Sequence, residues 1–363
     1  MMNNLIDLTF YDASYRDIVR LMNDVPSPKF SSSTLLTLKI KAQTFNDCLY
    51  ILDGRFNNLQ SLDIDLMKIY PLSRQIENQR KIPNLKCFNL SCFLETSLYN
   101  ELIVPLLHRM LNLEKLGLYI TTQIEKRFID GKSLKEDILY HLTKMKHFDF
   151  DIYSFISMES QMSFPSQEDI QQTFKDFPCT KVISCVDYFH RKRKLGQCHV
   201  YSYPFLMKSY EYITNNFPGG YYPYVRIVYL YDEHPFEHEF IRQISLAFPL
   251  MSRLTLINDC SQNSKQTIDI NENFEIIRYY HLIELDIGRC HDDYTEEFLS
   301  TKTYLHNSIS LHINVESFAR ITQNFTRNEI RINCSKVNEI FLYGENKYSI
   351  QSLQNYFPFA EID

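Results

Sequence analysis

The chain has 363 residues, 44% hydrophobic, 14% aromatic and 23% charged, with a formal net charge of −6. That much apolar material builds a sizeable core and excludes a disordered chain, and the acidic balance argues against a broad nucleic-acid footprint. No apolar run approaches the ~20 residues of a membrane span, and among only eight glycines there is no GxGxxG, GxSxG or Walker loop.

The chain opens on MMNNLIDLTFYD, too short and too polar for a signal peptide, although sequons occur at Asn89, Asn324 and Asn333. Within it Leu5, Leu8 and Phe10 are spaced three, then two, as a strand entered from a turn would space its buried residues. Tyr15, Ile18, Val19 and Met22 then follow helical spacing. The strand spacing returns as Leu35/Leu38/Ile40, Leu59/Leu62/Ile64, Leu85/Phe88/Leu90, Leu113/Leu116/Leu118 and Met145/Phe148/Phe150. Between these strands, Phe45, Cys48, Leu49 and Leu52 predict a helix. Ser133–Glu136 reads as a capping box opening another, with Leu134, Ile138, Leu139 and Leu142 on its apolar face.

From 151 to 224 the period fails. Val182–Phe189 and Gln197–Tyr203 predict a strand pair around the turn Arg191-Lys192-Arg193-Lys194-Leu195-Gly196, whose basic quartet suits a solvated loop tip or a nuclear-import signal. Phe205–Phe217 predicts a helix closed by Pro218-Gly219-Gly220. The spacing resumes as Val225/Val228/Leu230, Met251/Leu254/Leu256, Leu282/Leu285/Ile287, a looser Ile309/Leu311/Ile313, and Val337/Ile340/Leu342. Tyr348–Phe357 predicts a closing helix with Ile350, Leu353 and Phe357 inward. Counted at the middle residue, the steps are 30, 24, 26, 28 and 32, then 26, 31, 26 and 29.

This is the L-x-x-L-x-L core of leucine-rich repeats. A strand–helix unit at that period cannot bury its faces alone and must stack on its neighbours. The expected fold is therefore α/β: one leucine-rich-repeat (ribonuclease-inhibitor-like) solenoid over 1–363, a curved parallel sheet with outer helices. Its sections are regular repeats in 1–150, an irregular hairpin-bearing insertion in 151–224, and regular repeats with a closing helix in 225–363. Its first repeat is expected to be unsealed, since only Met1–Asn4 precede Leu5.

The stretch His234-Pro235-Phe236-Glu237-His238 fits the H-x-x-E-H pattern of one class of zinc peptidases. There both histidines share a helix, one turn apart, so that their rings converge on zinc. Here Pro235 intervenes, and proline favours the first helical position. That puts His234 at or before the N-cap, with Glu237 and Glu239 in the first turn and Phe240, Ile241, Ile244 and Phe248 facing the core. A metal-dependent hydrolase using His234, Glu237 and His238 stays the alternative. Asp232, Glu233, His234, Asp259, His291, Asp292 and Asp293 follow strands at similar distances. They form either an acidic rim for a cation or basic partner, or caps and solvated turns, with Asp293 as a helix cap.

The chain resembles the leucine-rich-repeat arm of F-box/leucine-rich-repeat proteins, and is closest to an expanded rotifer set. The resemblance rests on Phe128-Ile129-Asp130-Gly131, Glu168–Phe174, His234–Phe240, His291-Asp292-Asp293-Tyr294 and Asn324-Phe325-Thr326-Arg327. It implies a protein-recognition arm, which in members with an F-box presents substrates to a ubiquitin ligase. Because Leu5–Phe10 is already a repeat strand, no F-box is expected ahead of it, and this chain alone is not expected to engage the F-box adaptor.

The expected function is a non-catalytic protein-interaction scaffold with no cofactor or metal, binding a protein and neither nucleic acid nor membrane. Residues alternating with the buried strand positions would form its concave face: Asp63, Asp65, Tyr119, Asp149, Asp151, Tyr229, Tyr231, Glu284, Asp286, Phe341 and Tyr343. Tyrosines among acids suit a basic or mixed peptide surface. No cysteine has an activating context. The nine cysteines (Cys48, Cys87, Cys92, Cys179, Cys185, Cys198, Cys260, Cys290, Cys334) include no CxxC pair. Reduced thiols in an intracellular protein, cytoplasmic or nuclear, are the expectation.

Overall fold

The middle residue of each L-x-x-L-x-L segment lies on a strand and aligns with its neighbours in a row within its own sheet. The structure is a computed structural model that describes residues 5–9, 31–71, 81–160, 164–178, 181–263, 275–345 and 348–362. The helical spacing at 15–22, Phe10 and Cys179 lie outside the described residues. The chain divides into two units, 1–204 and 205–363. Both are α/β, dominated by large, mostly parallel sheets with few and short helices.

The first unit carries an eight-stranded sheet in the order β1-β2-β3-β4-β5-β6-β8-β7 among the described residues. The strands are β1 (Asp7–Thr9), β2 (Thr37–Thr44), β3 (Ser61–Lys68), β4 (Cys87–Thr96), β5 (Lys115–Gln123), β6 (His147–Ser157), β7 (Val182–Phe189) and β8 (Leu195–Ser202). From β1 to β6 all pairs are parallel, and the register puts Leu8, Leu38, Leu62, Phe88, Leu116 and Phe148 side by side. Leu38 to Phe148 in that row are at most 4% exposed, and the flanking Ile40, Ile64, Leu90, Leu118 and Phe150 are buried too. Period-2 alternation sends those residues to the helical side and their neighbours to the other.

Two polar ladders fix the step between repeats. The Leu36 carbonyl accepts Gln60 N–H at 2.8 Å and Ser61 N–H at 3.0 Å, and the carbonyls of Gln60, Lys86 and Glu114 repeat this one strand further on. Beside it, the Asn58, Asn84 and Asn112 amides donate to the carbonyls of Ser33 (2.6 Å), Asn57 (2.6 Å) and Pro83 (2.8 Å). Each asparagine immediately precedes the first leucine of its triplet. The turns entering the strands thus satisfy their own backbone groups.

The crossovers in this unit are α1 (Phe45–Ile51), α2 (Val104–Leu107), α3 (Gly131–Leu134) and α4 (Gln167–Thr173), with π-helical turns at Tyr99–Ile103 and Lys135–Leu139. The capping box expected at Ser133–Glu136 does not form, and the helix starts one turn earlier. Asp130 is the N-cap, its carboxylate accepting Ser133 N–H at 2.8 Å, and Glu136 pairs instead with Arg127 at 2.9 Å. β7 and β8 form the expected antiparallel hairpin, and β8 pairs antiparallel with β6.

Among the described residues the second unit carries a seven-stranded, all-parallel sheet in the order β17-β16-β15-β13-β11-β10-β9, and β12 (Ile277–Tyr279) pairs separately with β14 (Thr303–Leu305). Its strands are β9 (Ser209–Ile213), β10 (Ile227–Tyr231), β11 (Arg253–Asn258), β13 (Glu284–Cys290), β15 (Ile309–Asn314), β16 (Val337–Tyr343) and β17 (Glu361–Ile362). Val228, Leu254, Leu285, Leu311 and Ile340 repeat the buried row, each at 0–1% exposure. The helices are α5 (His238–Ala247), α6 (Asp292–Leu299), α7 (Val315–Ile321), α8 (Arg331–Cys334) and α9 (Ile350–Gln354).

The helix expected over Phe205–Phe217 is instead strand β9. Tyr210 pairs with Val228 and Ile213 with Leu230, so three steps on β9 match two on β10. Tyr212, at φ 54°, makes this bulge. A cluster of rings (Phe205, Tyr210, Phe217, Tyr222, Phe248) buries the segment. No helix among the described residues is long and apolar enough to cross a membrane. The cysteines among the described residues are free thiols, and burial pushes Cys48 up to about 12.

Candidate functional site

In the first unit the strand residues that alternate with the core build a polar face. Register aligns Lys39, Asp63, Asn89, Gly117 and Asp149 in one row, and Lys41, Asp65, Ser91, Tyr119 and Asp151 in the next. Lys39 approaches Asp63 at 3.7 Å and Lys41 approaches Asp65 at 4.0 Å. Such exposed pairs contribute ~0–1 kcal/mol each and leave the face adaptable. Gly117 keeps the row open, since a Cβ there would stand 2.4 Å from Asn89 Oδ1. Tyr119 lies half-buried among the acids. Burial, then the charges of Asp149, Asp63 and Asp151, pushes its phenol up to about 12, so it is a neutral hydrogen-bond donor at any physiological pH.

Asp149 is exposed, but Asp151 is 4% exposed and is not available at the surface. Its carboxylate meets His199 Nε2 at 2.6 Å, and the imidazole stacks on Tyr153 with centroids 3.8 Å apart. The cause is β8: the hairpin lays His199 beside the last regular strand, 48 residues along the chain from Asp151.

In the second unit the corresponding row is Tyr229, Thr255, Asp286, His312 and Phe341. His312 stacks on Phe341 at 4.4 Å, and Tyr229 meets Tyr212 at 5.6 Å. Next to it, Glu284 pairs with Arg253 at 3.1 Å, and Ser310 donates to Glu339 at 2.8 Å. Asp286 accepts Gly288 N–H at 3.1 Å. Tyr343 lies across Gly288, where a Cβ would come within 1.9 Å of its ring. Tyr231 ends β10 only 7% exposed, so it too leaves the open face. The register that assembles these rows is thus the same one that builds the core.

The histidine-rich rim is a closed hydrogen-bond network. Asp232 Oδ2 accepts Asn215 N–H at 2.8 Å, and Asp232 Oδ1 accepts His234 N–H at 3.0 Å. Asn258 donates to the His234 carbonyl at 2.6 Å, and Cys260 Sγ to the Glu233 carbonyl at 3.2 Å. Gln262 donates to the Phe236 carbonyl at 3.1 Å, and Phe236 N–H donates to the Tyr294 hydroxyl at 2.9 Å. These bonds hold 234–236 outside any helix. Consequently α5 begins at His238 with Glu237 as N-cap, three residues later than Pro235 led us to expect.

His234 points to solvent, its side chain 68% exposed. His238 turns inward and bonds through Nδ1 to Glu297 of α6, whose side chain is 1% exposed. That bond raises the imidazole pKa above its ordinary value, against the opposing effect of burial. The cap of α6 is His291, whose Nδ1 accepts Asp293 N–H at 3.2 Å, rather than Asp293 itself. Asp293 accepts Gln262 N–H at 3.0 Å. Among the described residues no three histidines, cysteines or acids gather as metal ligands would.

Sequence reasoning missed Asn258 and Gln262 of this network and Asn333 behind α6. The Asn333 amide donates to the carbonyls of Phe298 (3.2 Å), Ser300 (2.8 Å) and Thr303 (2.8 Å). Asn258 was readable: it stands two residues after Leu256, where the strand must hand its backbone to a loop. No protein-family model and no curated protein matches the chain.

Proposed function

We propose that the chain is a non-catalytic protein-interaction scaffold of the leucine-rich-repeat type, capturing its partner on the strand faces turned away from the helices. One observation carries the reading: apolar residues recurring every 24 to 32 positions align in register on adjacent parallel strands, which forces their neighbours into continuous rows on the opposite face. A repeat sheet so built offers an extended surface of acids and aromatic side chains, the composition that suits basic or mixed peptides. The binding residues would be Asp63, Asp65, Tyr119 and Asp149 in the first unit, and Tyr229, Glu284, Asp286, Phe341 and Tyr343 in the second. The reading invokes neither cofactor nor metal, nor nucleic acid or membrane. Free thiols fit an intracellular setting, cytoplasmic or nuclear. Kinship with the substrate-recognition arms of F-box receptors is part of the proposal.

Affinity capture from native lysate, quantified by mass spectrometry against charge-reversed variants, tests it. Asp63→Lys with Asp149→Lys, or Tyr229→Ala with Phe341→Ala, should remove the same specific protein while leaving circular dichroism unchanged. Undiminished capture by both double variants would overturn the assignment of the strand faces.

A further inference from the structure

The strand pair β12–β14 of the second unit packs among helices, β12 against α5 and β14 against α6 and α8. Register sets Ile277 against Thr303, Arg278 against Tyr304 and Tyr279 against Leu305. Ile277, Tyr279, Thr303 and Leu305 are buried, so period-2 alternation turns their neighbours outward. The outward side chains form a platform of two rows, Ile276-Arg278-Tyr280 and Lys302-Tyr304-His306. Backbone bonds close both ends of the pair: Ile277 N–H donates to the Lys302 carbonyl at 3.0 Å, and His306 N–H to the Tyr279 carbonyl at 3.1 Å. The Asn307 amide donates to the Tyr280 carbonyl at 2.9 Å and fastens the turn that carries this tyrosine.

Ile276 is 46%, Tyr280 53% and Tyr304 40% exposed. Single exposed hydrophobics are ordinary, whereas a contiguous set marks a contact surface. The rings are gathered: His306 lies 6.1 Å from Tyr280 and 6.3 Å from Tyr304, and the Arg278 guanidinium stands over Tyr304 at 5.6 Å. Tyrosine and arginine are the side chains that carry most binding energy at protein interfaces. The fixed charges of the platform, Arg278 and Lys302, are both positive on a chain of net charge −6. The nearest acids along the chain are engaged elsewhere, Glu275 with Arg242 at 2.9 Å and Glu297 with His238. Charge complementarity therefore selects an acidic occupant, and the exposed rings select an apolar side chain within it. Two fixed cations are too few to follow a nucleic-acid strand, and the net charge opposes one.

We infer that the β12–β14 platform docks an acidic segment of a protein partner. An aromatic or aliphatic side chain of that segment lies on Tyr280 and Tyr304, and a carboxylate meets Arg278. This contact surface is additional to the strand faces and belongs to a different sheet.

The full chain is titrated with the capped peptide Glu-Asp-Glu-Phe-Asp-Glu-Asp, with a copy carrying Gln and Asn for the acids, and with a copy carrying Gly for Phe. Binding is followed by saturation-transfer NMR. The acidic phenylalanine peptide should bind, with saturation strongest on its ring protons, and both altered copies should bind about tenfold more weakly or less. Arg278→Glu and Tyr304→Ala should each weaken the acidic peptide about tenfold. Arg191→Glu with Arg193→Glu, in the cationic turn between β7 and β8, should leave it unchanged, as should Tyr229→Ala with Phe341→Ala on the strand face. Equal binding of either altered copy, no binding of the acidic peptide, or unchanged affinity in both platform variants overturns the proposal. Loss of binding in the turn variant or the strand-face variant instead overturns it too, by placing the peptide elsewhere. Tighter binding of a single-stranded oligothymidine that Arg278→Glu abolishes overturns it in favour of a nucleic acid. The peptide comparison uses the unmodified chain and so does not depend on a variant folding.

Discussion

His238→Ala is the most informative single change in the second unit, because it separates a metal-type histidine from a structural one. In the structure this imidazole bonds to Glu297, whose side chain is 1% exposed on the buried side of α6. Removing the histidine leaves a carboxylate buried without its partner, a loss of ~3–5 kcal/mol. Glu297→Gln keeps a hydrogen-bond partner and loses only the charge component, ~1–2 kcal/mol. The pair also makes a signed pH prediction. The folded-state pKa of His238 is raised by the Glu297 bond, with the Glu275 carbonyl aiding and burial and Lys302 opposing. The stabilisation is therefore complete below the unfolded value near ~6.5 and is lost as pH rises through the raised folded value. Hydrogen exchange read on peptides covering 238–247 and 292–299 measures the local opening free energy without assuming that the whole chain unfolds in one step. After correction for intrinsic exchange, protection in the unmodified chain should fall from pH 6 to pH 9, and the gap to His238→Ala should narrow. A gap independent of pH, or a loss in His238→Ala below ~1 kcal/mol, refutes the buried-pair account. Stoichiometric zinc that disappears with His238 would restore the peptidase reading.

Asn333→Ala, which removes a buried amide whose two protons are shared among three carbonyls behind α6, should cost ~2–4 kcal/mol. Asn84→Ala breaks one exposed bond and should cost under ~1 kcal/mol; equal shifts of thermal midpoint in the two variants would contradict the ladder's ranking. Gly288→Ala forces the Tyr343 ring from its place, and should change near-ultraviolet dichroism and be relieved by adding Tyr343→Ala. Independent, additive effects of the two changes would show that the ring does not rest there.

The core was legible because two periods coincide in it. Alternation within a strand selects Leu38 and Ile40, and the repeat step then selects Leu62 and Ile64, so each position is specified twice. Residues 205–217 had no such second constraint. There Tyr210 and Ile213 stand three apart, as on a helix, but a bulge at Tyr212 produces the same spacing on a strand. The Asn-Leu pairs at 58–59, 84–85 and 112–113 are visible in the sequence, but the apolar spacing begins at the leucine and says nothing of the polar residue ahead of it.

The open face is harder to read from sequence for a physical reason. Alternation assigns a side chain to a face, but exposure on that face depends on what the chain lays over it later. Asp149 and Asp151 are two residues apart on one strand and share a face. Asp149 stays in solvent, and Asp151 is sealed by a histidine 48 positions on. The same reasoning separates His234 from His238, four positions apart in the motif. The Asp232–Asn258 network keeps the first outside the helix, and Glu297, 59 positions on, draws the second into the core. Metal chemistry would need these two rings to converge. The loop network and the Glu297 bond instead give them opposite environments, so the H-x-x-E-H spacing here records how a loop is fastened to its helix.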